Sequence, residues 1–249
     1  MGVLDLTLIA AAGVLAGIVG TAGGITSLVS YPVLLAAGVP AVAATVANTV
    51  ALVACWPGSA VASRPELTGK GRWLSHWMWV AAAGGVAGAA LLLSTPSQAF
   101  AQIVPFLVAA GSLALLAQPW LSARGQGRAW SGPPVLAVAL LAVSVYNGYF
   151  GAGAGVMTLG LMLVTVDQHM ARANALKNML IGAASVMAAL AFIILGPVDW
   201  RAAVPLSAGM LAGSMIGPRL ARRIPARALR WLVALLGLGL AVRLWIAPA

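Results

Sequence analysis

Apolar residues run in long blocks from one end of the chain to the other, with polar punctuation confined to short gaps. The blocks cover residues 4–35, 41–62, 74–93 and 99–117; after a linker at 122–134, rich in Gly, Ser and Arg, they resume at 135–164, 171–195, 202–220 and 229–246. Runs near twenty residues are long enough to cross the ~30 Å hydrocarbon layer as helices. The pattern therefore predicts an all-α, polytopic integral membrane protein with no extramembrane domain. Tryptophans gather near block ends and in the linking loops, as interfacial anchors do. Trp56 sits deeper, and with Pro57 and Gly58 it predicts a kink late in the second block.

The two halves align. Gly17, Gly20 and Gly24 are answered by Gly148, Gly151 and Gly155, each 131 positions later (17 to 148), and Asn48 meets Asn178 after one deletion. An internal duplication follows, with a first repeat at 1–121, a polar linker at 122–134 and a second repeat at 135–249. Transporters are the membrane proteins most often built in this way.

The first and fifth blocks are each interrupted by glycines. One break reads Gly20-Thr21-Ala22-Gly23-Gly24-Ile25-Thr26-Ser27 and the other Gly151-Ala152-Gly153-Ala154-Gly155-Val156-Met157-Thr158. Glycine takes positive φ without a steric cost, so such clusters can end one helix and start another. The alternative is a continuous helix packed through its small residues.

Charge placement separates the two. If every block crosses once, Arg64, Lys70, Arg72, Arg124, Arg128, Arg201 and Arg243 share one face, and Arg172, Lys177, Arg219, Arg222, Arg223, Arg227 and Arg230 share the other. Seven against seven gives no orientation. If each broken block instead turns back at its glycines, only Arg201 and Arg243 remain opposite the other twelve, which is the asymmetry of the positive-inside rule. Arms at 4–19 and 25–37 span ~24 Å and ~20 Å at 1.5 Å per residue, deep but not comfortably across. The expectation is two inverted repeats, each a glycine-broken, re-entrant helical hairpin plus three transmembrane helices.

Irregular backbone at membrane depth requires surrounding protein or a water-filled cavity. Helices starting near Ile25 and Val156 would aim free N–H groups and positive dipole ends at that cavity, forming an anion site without metal. The candidate substrate-binding residues are Gly20, Thr21, Gly23, Gly24 and Ser27 from one break and Gly151, Gly153, Gly155 and Thr158 from the other. Asn48, Thr49, Lys177 and Asn178 join them from the following blocks. Lys177 either snorkels to the interface or stands beside the substrate as a cation. Asn48 and Asn178 either bond helix to helix or touch substrate. Asp167-Gln168-His169 reads as a polar turn, with proton transfer as the alternative.

Composition narrows the class further. Hydrophobic residues make up 62% and charged residues 7%, against about 25% charged in soluble domains. The acids are Asp5, Glu66, Asp167 and Asp199, and the net charge is +10. In a soluble chain that excess suggests nucleic acid; between apolar blocks it reads as topology-setting loop charge, with no nucleic-acid partner. Cys55 is the single cysteine, so no internal disulfide or Cys-cluster metal site can form. Residues 1–19 lack the basic start of a secretory signal and read as a retained membrane segment. No cofactor or catalytic constellation is expected, since the glycine loop lacks the lysine of a nucleotide-binding loop.

These residues resemble the sulfite exporter TauE/SafE family, also called the toluene-sulfonate uptake permease family. The twin glycine clusters carry the resemblance, together with Arg172-Ala173-Asn174-Ala175-Leu176-Lys177-Asn178, Gly196-Pro197-Val198-Asp199-Trp200 and Ala212-Gly213-Ser214-Met215-Ile216-Gly217-Pro218-Arg219-Leu220-Ala221-Arg222-Arg223. The resemblance implies a permease for small anions: sulfur oxyanions, organosulfonates or related carboxylates. The reading is thus a secondary anion transporter, not an enzyme, multi-pass in the cell inner (plasma) membrane. Its partners are a small anionic substrate and the lipid bilayer, with a homo-oligomer left open. A passive anion channel on the same scaffold and a non-transport membrane assembly factor are the alternatives.

Overall fold

The computed structural model describes residues 2–124 and 132–220, together with eight positions between 231 and 246. Much of the linker and of the last apolar block, with Arg128, Arg222, Arg223, Arg227, Arg230 and Arg243, lies outside the described residues. Every regular element described is a helix: α1 Val3–Gly23, α2 Thr26–Ala36, α3 Ala41–Leu52, α4 Cys55–Ala62, α5 Arg64–Leu67, α6 Gly71–Ser94, α7 Ser97–Arg124, α8 Pro133–Tyr149, α9 Ala154–Thr165, α10 Met170–Leu195 and α11 Trp200–Leu220. Leu4–Gly23, Ala41–Ala62, Gly71–Ser94 and Met170–Leu195 are long and apolar enough to cross a membrane. Leu4, Leu8 and Leu15 on α1, Val138 on α8, and Ile193 to Leu195 on α10 are exposed. Such apolar surface suits a bilayer, where burying it gains nothing.

Local chemistry sets the boundaries. Asp5 in the first turn of α1 accepts the Gly2 N–H at 2.8 Å, a favourable charge at a helix start. Pro133 begins α8, where its missing N–H costs nothing. Asp199 Oδ1 accepts the backbone N–H groups of Arg201 and Ala202 at 3.0 and 3.3 Å and so caps α11. Asp167 Oδ1 accepts the His169 N–H at 3.0 Å just before α10, with Arg172 3.7 Å from the other carboxylate oxygen. That backbone bond holds the Asp167 carboxyl below its ordinary pKa. The segment is a polar turn.

Both glycine clusters interrupt their helices. Gly24, at φ 82°, closes α1 with its N–H 2.6 Å from the Gly20 carbonyl. Gly151 and Gly153 take the same φ between α8 and α9. α1 continues four residues beyond the expected arm end at Val19, and its 21 residues span ~31 Å. The second block also breaks: α3 ends at Leu52 and α4 starts at Cys55, two residues before Pro57, whose ring disrupts the turn preceding it.

Small residues decide how the helices lie together. A side chain at Gly209 of α11 would collide with Ala10, Gly13 and Val14 of α1, and one at Gly213 with Val14 and Ile18. The numbers rise together, so α1 and α11 run parallel. The same interlock occurs a second time: Gly84 of α6 abuts Leu141, Ser144 and Val145 of α8, and Gly88 abuts Val145, Gly148 and Tyr149. α6 and α8 are parallel too. Gly85 meets Ala184, and Leu93 lies beside Gly196 just past the end of α10, so α6 also runs with α10. Cys55 meets Met210 and Gly58 meets Ser214, so α4 runs with α11. Close backbone approach through small residues is the means by which helices associate in lipid.

Candidate substrate-binding site

The two glycine breaks touch. A side chain at Gly24 would collide with the backbone of Gly155 and Val156, and one at Gly155 with the backbone of Gly24. Beside this crossing lies a cavity of about 40 Å³. A single water needs roughly 10–15 Å³ on the same measure, so the space suits a ligand of a few heavy atoms.

Gly20, Thr21, Gly24, Ser27, Gly151, Gly155, Lys177 and Asn178 line the cavity. The remaining sequence candidates stand outside it. Gly23 has open space around it, and Gly153 packs against Gly111 of α7. Thr49 and Thr158 return their hydroxyls to the carbonyls of Thr45 and Ala154 within their own helices, at 2.9 and 2.8 Å. Asn48 stands behind the wall, its Nδ2 donating to Ser27 Oγ at 2.9 Å and its Oδ1 accepting from Ser30.

Lys177 does not snorkel. It is 1% exposed, and its Nζ donates to the Gly20 carbonyl at 3.1 Å. From the same face of α10, Asn174 and Asn178 donate to the Thr21 carbonyl at 2.8 and 3.1 Å. Three α10 side chains thus satisfy carbonyls at the C-terminal end of α1, where the helix dipole favours a cation. Among the described residues no carboxylate lies within 4.0 Å of Lys177, and the ion pairs found are those of Asp167. None of the acids lines the cavity.

The wall also contains residues outside the set of candidate substrate-binding residues: Thr26, Asn147 and Ser185, with Leu52, Cys55, Trp56 and Ser59 from the interrupted second block. Asn147 Nδ2 donates to Ser185 Oγ at 3.1 Å, much as Asn48 donates to Ser27. Each serine oxygen accepts one of these bonds, and its own proton is still available to donate. Asn147 and Ser185 could have been found by helical spacing: Asn147 stands four residues before Gly151, and Ser185 falls eight after Lys177 on one face of α10. Trp56 and Cys55 carry no such signal, because their position depends on the bend before α4.

A small cavity lined by both polar and apolar groups, among apolar helices of which several are long enough to cross a bilayer, is the construction of a membrane transporter. The family model described as sulfite exporter TauE/SafE matches residues 7–244, and the chain belongs to that family. It is similar to the probable membrane transporter protein YfcA of Escherichia coli (strain K12), 29% identical over 209 residues that cover 83% of this chain and 77% of the relative. It is also similar to the probable membrane transporter protein ORF9 of Sinorhizobium sp, 27% identical over 170 residues, covering 68% and 65% respectively. No solved structure matches the chain.

Proposed function

We propose that this membrane transporter is a secondary carrier of a small anion, a sulfur oxyanion, organosulfonate or related carboxylate, bound in the cavity where the two glycine breaks meet. The observation that carries the proposal is Lys177: a buried lysine on the cavity wall, its Nζ against a neutral carbonyl, with no carboxylate within 4.0 Å among the described residues. A buried charge held only by neutral carbonyls remains costly, and an anion arriving in the cavity offsets that cost. The rest of the wall agrees. The first turn of α2, with Thr26 and Ser27, presents a helix N-terminus to the cavity, and Ser27 and Ser185 have protons to donate.

The same reading gives the architecture: two repeats, 1–121 and 135–249, inverted in the membrane and each opening with a re-entrant hairpin. Helix directions support it. α8 and α10 both run with α6, so the chain between them has to return, and α9 is the segment that returns. α1 and α4 both run with α11, which assigns α2 the same role. α10 and α11 are consecutive and run oppositely, so α6 and α11, counterparts in the two interlocks, run oppositely as well. The resulting multi-pass topology leaves Lys177 inside the cavity and, of the other described basic residues, sets Arg64, Lys70, Arg72, Arg124, Arg172 and Arg219 opposite Arg201, with the larger group on the cytoplasmic side of the inner membrane.

Counterflow in proteoliposomes tests the function. Vesicles loaded with unlabelled sulfite should transiently accumulate labelled sulfite above its equilibrium level, and a small sulfonate or carboxylate is tested in the same way. Simple equilibration without overshoot for every anion that crosses would indicate a channel. No anion movement at all would remove the proposal.

A further inference from the structure

Trp56 presents a buried polar atom left unsatisfied: its indole Nε1 has no hydrogen-bond partner among the described residues. The residue lines the cavity. It is the second residue of α4, directly after the interruption of the second block, and its pyrrole edge rests against Gly182 of α10, where any side chain would collide with it. Gly182 belongs to the same wall as Lys177. A buried N–H without a partner loses its hydration for nothing, and phenylalanine would fill similar space without that loss. The neighbouring polar groups do not relieve it. Ser27 and Ser185 bond Asn48 and Asn147, the Ser59 hydroxyl donates to the Trp56 carbonyl at 3.0 Å, and among the described residues none of these oxygens stands within hydrogen-bond reach of the indole nitrogen.

We infer that Trp56 donates its indole N–H to the bound anion and thereby favours oxyanions over halides at this site. This rests on the preceding reading of the cavity as an anion site and adds a residue and a preference to it. An ammonium, an indole N–H and two hydroxyl protons ask for a ligand made of acceptors. A sulfite or sulfonate group supplies three oxygens at once, whereas a halide supplies no separate acceptors and satisfies this set less well. Trp56 is then a specificity-determining residue, placed by the bend before α4 and admitted by Gly182.

The test uses the full chain in nanodiscs with ¹⁵N-labelled tryptophan, titrated with sodium sulfite, sodium methanesulfonate and sodium chloride. The Trp56 indole signal is assigned by its loss in Trp56→Phe, or in Trp56→Tyr if the first variant fails to fold. The expected result is a saturable downfield shift of that signal with sulfite and methanesulfonate and a much smaller one with chloride. Trp56→Phe should raise the sulfite Kd by about tenfold, as expected for losing one hydrogen bond to a charged group. An unmoved Trp56 signal during saturable binding that Lys177→Gln weakens would overturn the inference and leave the anion site standing. Binding indifferent to both variants, or no binding by the intact protein, would overturn both.

Discussion

Lys177 and Arg172 stand on the same helix and differ in everything that decides what a cation does. The Arg172 side chain is 56% exposed beside Asp167, where screening makes the pair worth little. Lys177 lies one and a half turns further in, buried against the end of α1 and facing the cavity. Lys177→Gln keeps a donor for the Gly20 carbonyl while removing the charge, so the Kd for sulfite should rise about tenfold, which is ~1.4 kcal/mol. Arg172→Gln should leave it within about twofold. Isothermal titration on the two purified variants measures this directly, and equal small effects would return Lys177 to a purely structural role as the cap of α1. The sequence showed that a lysine stood near the start of an apolar block. Its direction was not legible, because snorkelling and burial give the same spacing and only the position of α1 distinguishes them.

At the scale of elements, the interruptions were legible and their exact extent was not. Glycine content located both breaks, but Gly20 and Gly23 continue α1, and the chain leaves the helix only at Gly24, where φ turns positive. The helix runs on because its last carbonyls find partners on α10, a contact more than 150 residues away in sequence that no local pattern encodes. The crossing of Gly24 and Gly155 gives a sharp expectation. Gly24→Ala combines an unfavourable φ with a backbone collision, and Gly155→Ala forces the two breaks apart. Each should reduce anion uptake by proteoliposomes at least tenfold while the protein still inserts and purifies. Gly160→Ala, with open space around it on α9, is the control and should transport normally. Normal uptake by both Gly24→Ala and Gly155→Ala would show that the crossing has no part in transport.

For the whole molecule, the all-helical class and the family were visible in the apolar blocks and twin glycine clusters, since both depend on composition and local spacing. Which helix lies beside which was not. The parallel pairing of α1 with α11 and of α6 with α8 is made by Gly209, Gly213, Gly84 and Gly88, which look in sequence like any other small residues of a membrane helix. Those directions predict that the loops at Ser63 and Gln168 emerge on one face and the loop at Thr95 on the other. Single cysteines at these positions, in a Cys55→Ala background, should react accordingly with a membrane-impermeant maleimide in oriented vesicles. Simple spans without re-entrant turns would instead place Ser63 and Gln168 on opposite faces.

If the acid-free cavity beside Lys177 is an anion site, the ion can be seen there directly. Selenite shares the shape and charge of sulfite and scatters anomalously at the selenium edge, so diffraction from crystals of the intact protein grown with it locates the ion without any assumption about transport. An anomalous peak is expected inside the cavity beside the Gly24–Gly155 crossing, with an anion oxygen about 3 Å from Lys177 Nζ. Peaks confined to surface arginines, or an empty cavity at saturating selenite, would contradict the anion-site reading.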